Sequence, residues 1–286
     1  MQQLKIVVSD RVKDNAAFMD FVKGLPETFD NVGTEIYTAR NRLRVTDVSA
    51  LGVEGVKEVV IKRYHHLLFV QQVQNTFFCK PKGRKAFDNT SELWKRGLSP
   101  ARELALVEVW HHGLYQYAFF VAELVEGEKF SKLIRKMKAD GRRDALEGLI
   151  DEYAMFVKRM HEHGVVFQDL NGGNVICKNI ANCVGREYDK DRQWHFSLVD
   201  TDKAVIYSPE RPLYLNVVKK DLIMMQSEWG TDSMFQEKYL RLRGLYTPEA
   251  MAFLQKAQKA RRERKNHWYI KPLEAYRHFY RRLVKN

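Results

Sequence analysis

The chain has 286 residues, with 48 Lys and Arg against 36 Asp and Glu, a formal charge of +12. That length fits one large domain or two lobes, and 45% apolar with 12% aromatic residues excludes intrinsic disorder. No apolar run approaches the roughly 18 residues of a transmembrane helix, Met1–Asp10 lacks the apolar segment of a signal peptide, and three cysteines without a CxxC pair exclude a disulfide scaffold or zinc site and predict a reduced, cytoplasmic protein. The charge is uneven. Residues 256–286 hold eleven Lys and Arg and two Asp and Glu, a net of +9, which leaves +3 for the other 255 residues. A polyanionic partner is expected from this excess, and charge alone does not choose among nucleic acid, phosphorylated substrate and acidic membrane.

In chain order, the first 34 residues read as a short amphipathic piece: Phe18, Phe21 and Val22 sit at helical spacing and Leu25-Pro26 ends it. Glu35–Val45 reads as one strand and Val56–Tyr64 as a second, with Gly52 and Gly55 turning between them. Residues 84–96 predict a helix closed by Gly97, with Pro100 beyond. Leu104–Trp110 and Tyr115–Val121 predict a hairpin around His111-His112-Gly113-Leu114. Residues 128–163 then follow helical periodicity, short strands are expected near 175–177, 195–199 and 203–207, and helix returns from 213. The layout is a β-rich part to about residue 126 and a mainly helical part over 127–286.

The chemistry concentrates in His161–Ile176. Asp169 and Asn174 stand in the Asp-x4-Asn spacing of a kinase catalytic loop. One carboxylate would orient an attacking hydroxyl, and one amide oxygen would hold Mg2+ beside it. Phe196-Ser-Leu-Val-Asp200 is a short strand delivering a carboxylate, the hard oxygen ligand that Mg2+ prefers. Val59-Val-Ile-Lys62 resembles the strand whose lysine meets the phosphates of ATP. The helix after it offers Asp88 and Glu92 as ion-pair partners for Lys62, with Asp88 preferred.

These residues resemble the lipopolysaccharide kinase (Kdo/WaaP-type) family, nearest its Bacteroidetes-type branch, within the protein-kinase-like superfamily. Arg40-Asn41, Lys62, Lys85–Asn89 with Gly97–Pro100, Glu123–Gly127, His163–Asn174 and Leu198–Asp200 carry the resemblance over most of the chain. It implies an α+β, protein-kinase-like bilobal fold: a β-rich N-lobe over 1–126 with one αC-like helix, and a helical C-lobe over 127–286. It implies ATP- and Mg2+-dependent phosphorylation of a sugar hydroxyl, Kdo or heptose, of the lipopolysaccharide inner core on a lipid A precursor. Asp169 would be the catalytic base, Asn174 and Asp200 the Mg2+ ligands, Lys62 the phosphate contact, and Glu123 to Val125 the hinge for adenine.

The chain departs from protein kinases in several places. Phe167-Gln168 stand where His-Arg would precede the aspartate, the glycine-rich loop is reduced to Gly52 and Gly55, and Ser208-Pro-Glu210 follows Asp200 too closely for an activation segment. A small or glycan acceptor is favoured over a peptide. A protein or antibiotic-type kinase and a non-catalytic pseudokinase module are the alternatives. The tail, Gln255–Lys265 with His267–Ile270 and Tyr276–Arg282, mixes cations with aromatics. It suits the anionic inner face of a membrane better than nucleic acid, so the protein is expected in the cytoplasm, peripheral on that face. His65-His66 and His111-His112 lack a third metal ligand, and Cys177 reads as a small buried apolar residue.

Overall fold

Strand β1 (Gln2–Val8) opens a chain whose computed structural model describes residues 2–39, 41–180, 192–224 and 231–266. Helices α1 (Ala16–Lys23) and α2 (Leu25–Thr28) follow, then β2 (Thr34–Thr38), β3 (Arg42–Asp47) and β4 (Glu58–Arg63). Helices α3 (Phe69–Phe77) and α4 (Lys82–Lys95) precede the long hairpin of β5 (Glu103–His111) and β6 (Leu114–Glu123). Beyond come β7 (Glu128–Lys129), α5 (Phe130–Ala139), α6 (Arg143–Glu162), β8 (Val165–Val166), β9 (Val175–Asn179) and β10 (Trp194–Leu198). The described chain ends with β11 (Val205–Ile206), α7 (Leu215–Leu222), α8 (Asp232–Leu242) and α9 (Pro248–Asn266).

Among the described residues the first half forms a six-stranded sheet in the order β1-β5-β6-β4-β3-β2, every neighbour antiparallel. Strand β5, between β1 and β6, is buried on both faces along most of its length, as its run Leu104-Ala-Leu-Val requires. Its Glu108 is also buried, held by Arg84 of α4 at 3.1 Å. The expected single strand over 35–45 is instead two antiparallel strands, β2 and β3. The expected first helix is present and ends at Lys23, just before Leu25-Pro26, which opens the short α2 because proline fits a helix's first turn. No strand is expected before it from sequence, yet Leu4, Ile6 and Val8 of β1 pack on the sheet's core.

The helical part buries the stripe read from the sequence. Leu146, Leu149, Ile150, Tyr153, Ala154, Val157 and Met160 of α6 are all buried, in a cluster joined by Leu93 and Leu98 from the end of α4. Gly164 ends α6 with φ +74, where a Cβ would meet the Tyr207 carbonyl oxygen at 2.7 Å. Its neighbour Arg96 donates to the carbonyls of His163 and Tyr207 at 2.6 and 2.7 Å, tying α4 to the loop that follows. Among the described residues no helix is long and apolar enough to cross a membrane.

Candidate active site

The loop between β8 and β9 carries Asp169 and Asn174, and one buried side chain fixes its backbone. Asp221 of α7 accepts the amide hydrogens of Phe167 and Gln168, both at 2.6 Å. The imidazole of His161, on the last turn of α6, stands 3.3 Å from the same carboxylate and 2.7 Å from the Tyr239 hydroxyl. Both side chains of the His161–Asp221 pair are fully buried. Gln168 is thereby held at φ +66, a left-handed backbone uncommon for a side-chain-bearing residue, directly before Asp169.

Within the loop, Asn174 Nδ2 donates to the Asp169 carbonyl at 2.9 Å. Asn171 Nδ2 reaches the Asp169 carbonyl and carboxylate at 3.2 and 3.3 Å. The Asp169 carboxylate also pairs with Lys203. The Val199 amide bonds to the Asn174 carbonyl at 2.9 Å, joining this loop to the residue before Asp200.

Asp200 follows β10 in left-handed backbone, φ +64. The turn Thr201–Lys203 is gripped by α4: Thr201 Oγ1 lies 2.8 Å from Thr90 Oγ1 and 3.0 Å from the Ala86 carbonyl. Asn89 Nδ2 donates to the carbonyls of Thr201 and Ala204 at 2.8 and 3.1 Å. The Asp200 carboxylate pairs with Lys62 of β4, whose ammonium lies 4.9 Å from the Tyr64 ring. Burial and then the Asp200 and Asp202 charges push the Tyr64 phenol far above its ordinary range. Burial, seconded by Asp200, raises the Asp202 carboxyl, against Lys62, Lys82 and Lys203. Two carboxylates and three lysines therefore meet at this turn.

The expected ion pair between Lys62 and α4 is not formed. Asp88 pairs with Lys80, and Glu92 with Arg96 at 3.0 Å. The reason is helical phase: α4 presents Ala86, Asn89 and Thr90 to the Thr201 turn, and Asp88 stands about 100° from Asn89. Asp200 takes the lysine instead. The glycines also lie elsewhere than expected for a phosphate loop. Gly52 and Gly55, with φ +67 and +70, are in the β3–β4 connection, whereas Lys62 pairs with Leu43 near the start of β3.

At the expected hinge, the Glu123 amide donates to the Arg102 carbonyl at 2.9 Å and the Leu124 amide to the Glu58 carbonyl at 3.0 Å; half-buried Val125 follows. The Glu123 carboxylate pairs with Arg11, which also donates to the Glu54 carbonyl at 2.9 Å. Arg11 thus ties the Gly52–Gly55 connection to Glu123. Sequence reasoning missed Arg11, Asp202, Lys203 and Asp221. Only Asp202 carried a signal, as the second acid of Asp200-Thr-Asp202. Cys177 is buried as expected, and burial pushes its thiol far above its ordinary range.

The basic helix expected over 255–265 is α9, and it is anchored. Gln258 and Arg262 donate to Asp232 of α8 at 2.7 and 2.8 Å. Arg261 lies partly buried within electrostatic reach of Asp169: desolvation lowers its guanidinium and the Asp169 charge opposes this. Lys220 donates to Gln168 Oε1 at 2.7 Å. Lys203 thus pairs with Asp169, Arg261 acts on it electrostatically, and Lys220 holds its neighbour Gln168. The aromatic-rich stretches His267–Ile270 and Tyr276–Arg282 lie outside the described residues.

No protein-family profile matches the chain, and no curated protein matches it. Among solved structures the chain is similar to WaaP in complex with acyl carrier protein, with a TM-score of 0.56 and 15% sequence identity. The similarity covers 90% of this chain and 98% of that one. At that identity the likeness is one of fold: the chain adopts the α+β, bilobal architecture of a WaaP-like kinase.

Proposed function

We propose that the protein is a kinase that transfers the terminal phosphoryl group of ATP, with Mg2+, to a sugar hydroxyl of the lipopolysaccharide inner core, Kdo or heptose on a lipid A precursor. The observation that carries this reading is the pairing of Lys62 with Asp200 beside a rigidly held Asp169–Asn174 loop. The divide between the nucleotide-binding and helical lobes is placed at Glu126-Gly127.

The donor set fits a hard cation. Asn174 spends its amide nitrogen on the Asp169 carbonyl, which leaves its oxygen as a ligand, and Asp200 adds carboxylate oxygen. Bound Mg2+ supplies charge neutralisation on the phosphates. Lys62, released from Asp200, meets the phosphates, and the Glu123–Val125 backbone borders the adenine. Asp169 orients the acceptor hydroxyl and takes its proton. Catalysis is then mostly positioning and electrostatics.

The acceptor is anionic in this reading. Lys203, Lys220 and Arg261 near Asp169 would attract the carboxylate of Kdo or neighbouring phosphates. The protein would work in the cytoplasm, peripheral to the inner membrane. Mass spectrometry of lipopolysaccharide from a strain lacking the protein tests this: one inner-core phosphate should disappear, and an unchanged phosphate content rejects the acceptor. One observation favours a second reading, a nucleotide-binding module without turnover. Arg11 bridges hinge and connection while Lys203 pairs with the base. Mg-ATP binding without transfer to any acceptor would support it.

A further inference from the structure

Helix α3 turns its polar side inward. Thr76 Oγ1 accepts the Tyr115 amide at 3.0 Å, Gln116 Nε2 donates to Gln72 Oε1 at 3.0 Å, and Gln72 Nε2 donates to the Leu67 carbonyl at 2.9 Å. The helix has no buried residue. Phe69, Val70 and Phe77 instead face solvent, 69%, 76% and 68% exposed. Phe78 extends the patch at 80% exposure, and Leu68 precedes it at 48%. A surface helix of a globular protein ordinarily does the reverse. A contiguous apolar face of this kind marks a surface that meets something other than water.

The surroundings are cationic. From Val59 to Phe87 the chain carries Lys62, Arg63, Lys80, Lys82, Arg84 and Lys85 and no Asp or Glu. Lys62 and Arg84 serve Asp200 and Glu108. Three of these lysines, Lys80, Lys82 and Lys85, are exposed. Lys80, which also pairs with Asp88, follows Phe78 by two residues. Lys82 lines a cavity of about 230 Å³ together with Gln71 and Gln74 of α3, and Lys85 is one turn further along α4. A second copy of this face is a poor partner, since a two-fold contact would set these lysines against one another. A bilayer with anionic headgroups satisfies both features: the phenylalanines enter the headgroup–acyl boundary and the lysines meet the lipid phosphates.

We propose that α3 with Leu68 and Phe78 is a docking surface for anionic membrane. Lys82, which lines the cavity beside α3, also acts on Asp202 of the candidate site, so the docked bilayer would lie beside that site. The surface stands independently of the phosphotransfer reading. It also puts a membrane contact on the sheet-bearing part of the chain.

Vesicle co-sedimentation of the full chain tests it, with phosphatidylcholine alone and with phosphatidylcholine mixed with phosphatidylglycerol. The wild type should partition onto the anionic vesicles about tenfold or more better than onto the neutral ones. Phe69→Ser/Phe77→Ser/Phe78→Ser should weaken anionic binding about thirtyfold or more, with an unchanged melting temperature because the side chains are exposed. Phe78→Asp, a single change at the most exposed position, should weaken it in the same direction. Wild type that stays in the supernatant, or binds both vesicles equally, overturns the proposal. So do variants that bind like wild type, or a wild-type dimer that the triple variant splits without any vesicle binding. Mg-ATP affinity measured on the same samples keeps the two readings apart: its absence rejects the kinase reading and leaves the membrane surface standing, and the reverse holds for lost vesicle binding.

Discussion

The ammonium of Lys62 is paired with the carboxylate of Asp200, 138 residues away, and with no acid of α4. This pair is where nucleotide phosphates and metal would enter. Lys62→Met should weaken Mg-ATP binding about tenfold or more, the loss of one charged contact. Asp200→Asn should remove the Mg2+ dependence of that binding. Isothermal titration with and without Mg2+ measures both, and unchanged affinity in either variant contradicts the assigned role.

Asp221 is the hub that shapes the Asp169–Asn174 loop, because it accepts two backbone amides and faces His161 in a fully buried setting. Asp221→Ala leaves those donors unsatisfied and should cost about 3 kcal/mol or more. Urea unfolding measures this. A loss below about 1 kcal/mol would show that the loop holds its shape by other contacts.

Much of the fold was legible because its signals are local. The stripe of α6, the apolar run of β5 and the glycines after α4 and α6 each report their own structure. The expectation for the loop of Asp169 and Asn174 rests on the same kind of local signal, a spacing of five residues. What was not legible depends on tertiary contact. Asp221 lies 53 residues from the amide of Gln168 that it fixes. Asp88 was a reasonable partner for Lys62 by position in the chain, and the phase of α4 decided against it. Helix α3 escaped notice because its apolar residues are not core, so their periodicity marks no buried face.

Glu103 offers a pH test of the sheet. Its side chain is buried, and Oε2 has no hydrogen-bond partner among the described residues. Burial, and less strongly the Glu123 charge, raise its carboxyl above the ordinary value of 4.5, against its own backbone amide, Ser91 and Arg102. The unfolded chain therefore ionises first as pH rises through 4.5, and folding stability falls from there until the raised folded value is passed. Glu103→Gln should be more stable than wild type above that window and no more stable below it. Thermal unfolding across pH checks the sign, and a gain confined to acid pH contradicts it.

Arg261 connects the basic helix to the site, through its proximity to Asp169. Arg261→Ala should raise KM for an anionic acceptor about fivefold or more, with kcat and ATP affinity little changed and the effect shrinking in high salt. Steady-state kinetics at two ionic strengths decide it. An unaltered KM would remove α9 from acceptor binding.

The central claim is phosphoryl transfer to a lipopolysaccharide core sugar with Asp169 as the base. The most direct measurement is transfer of labelled phosphate from ATP to Kdo-lipid A by the purified full chain, beside the Asp169→Asn variant, with a protein substrate and an aminoglycoside as competing acceptors. The account predicts label in the lipid acceptor with wild type, a loss of about a hundredfold or more with Asp169→Asn at nearly intact ATP binding, and none in the competing acceptors. Full turnover by Asp169→Asn, or label in the protein or aminoglycoside instead of the lipid, would contradict it.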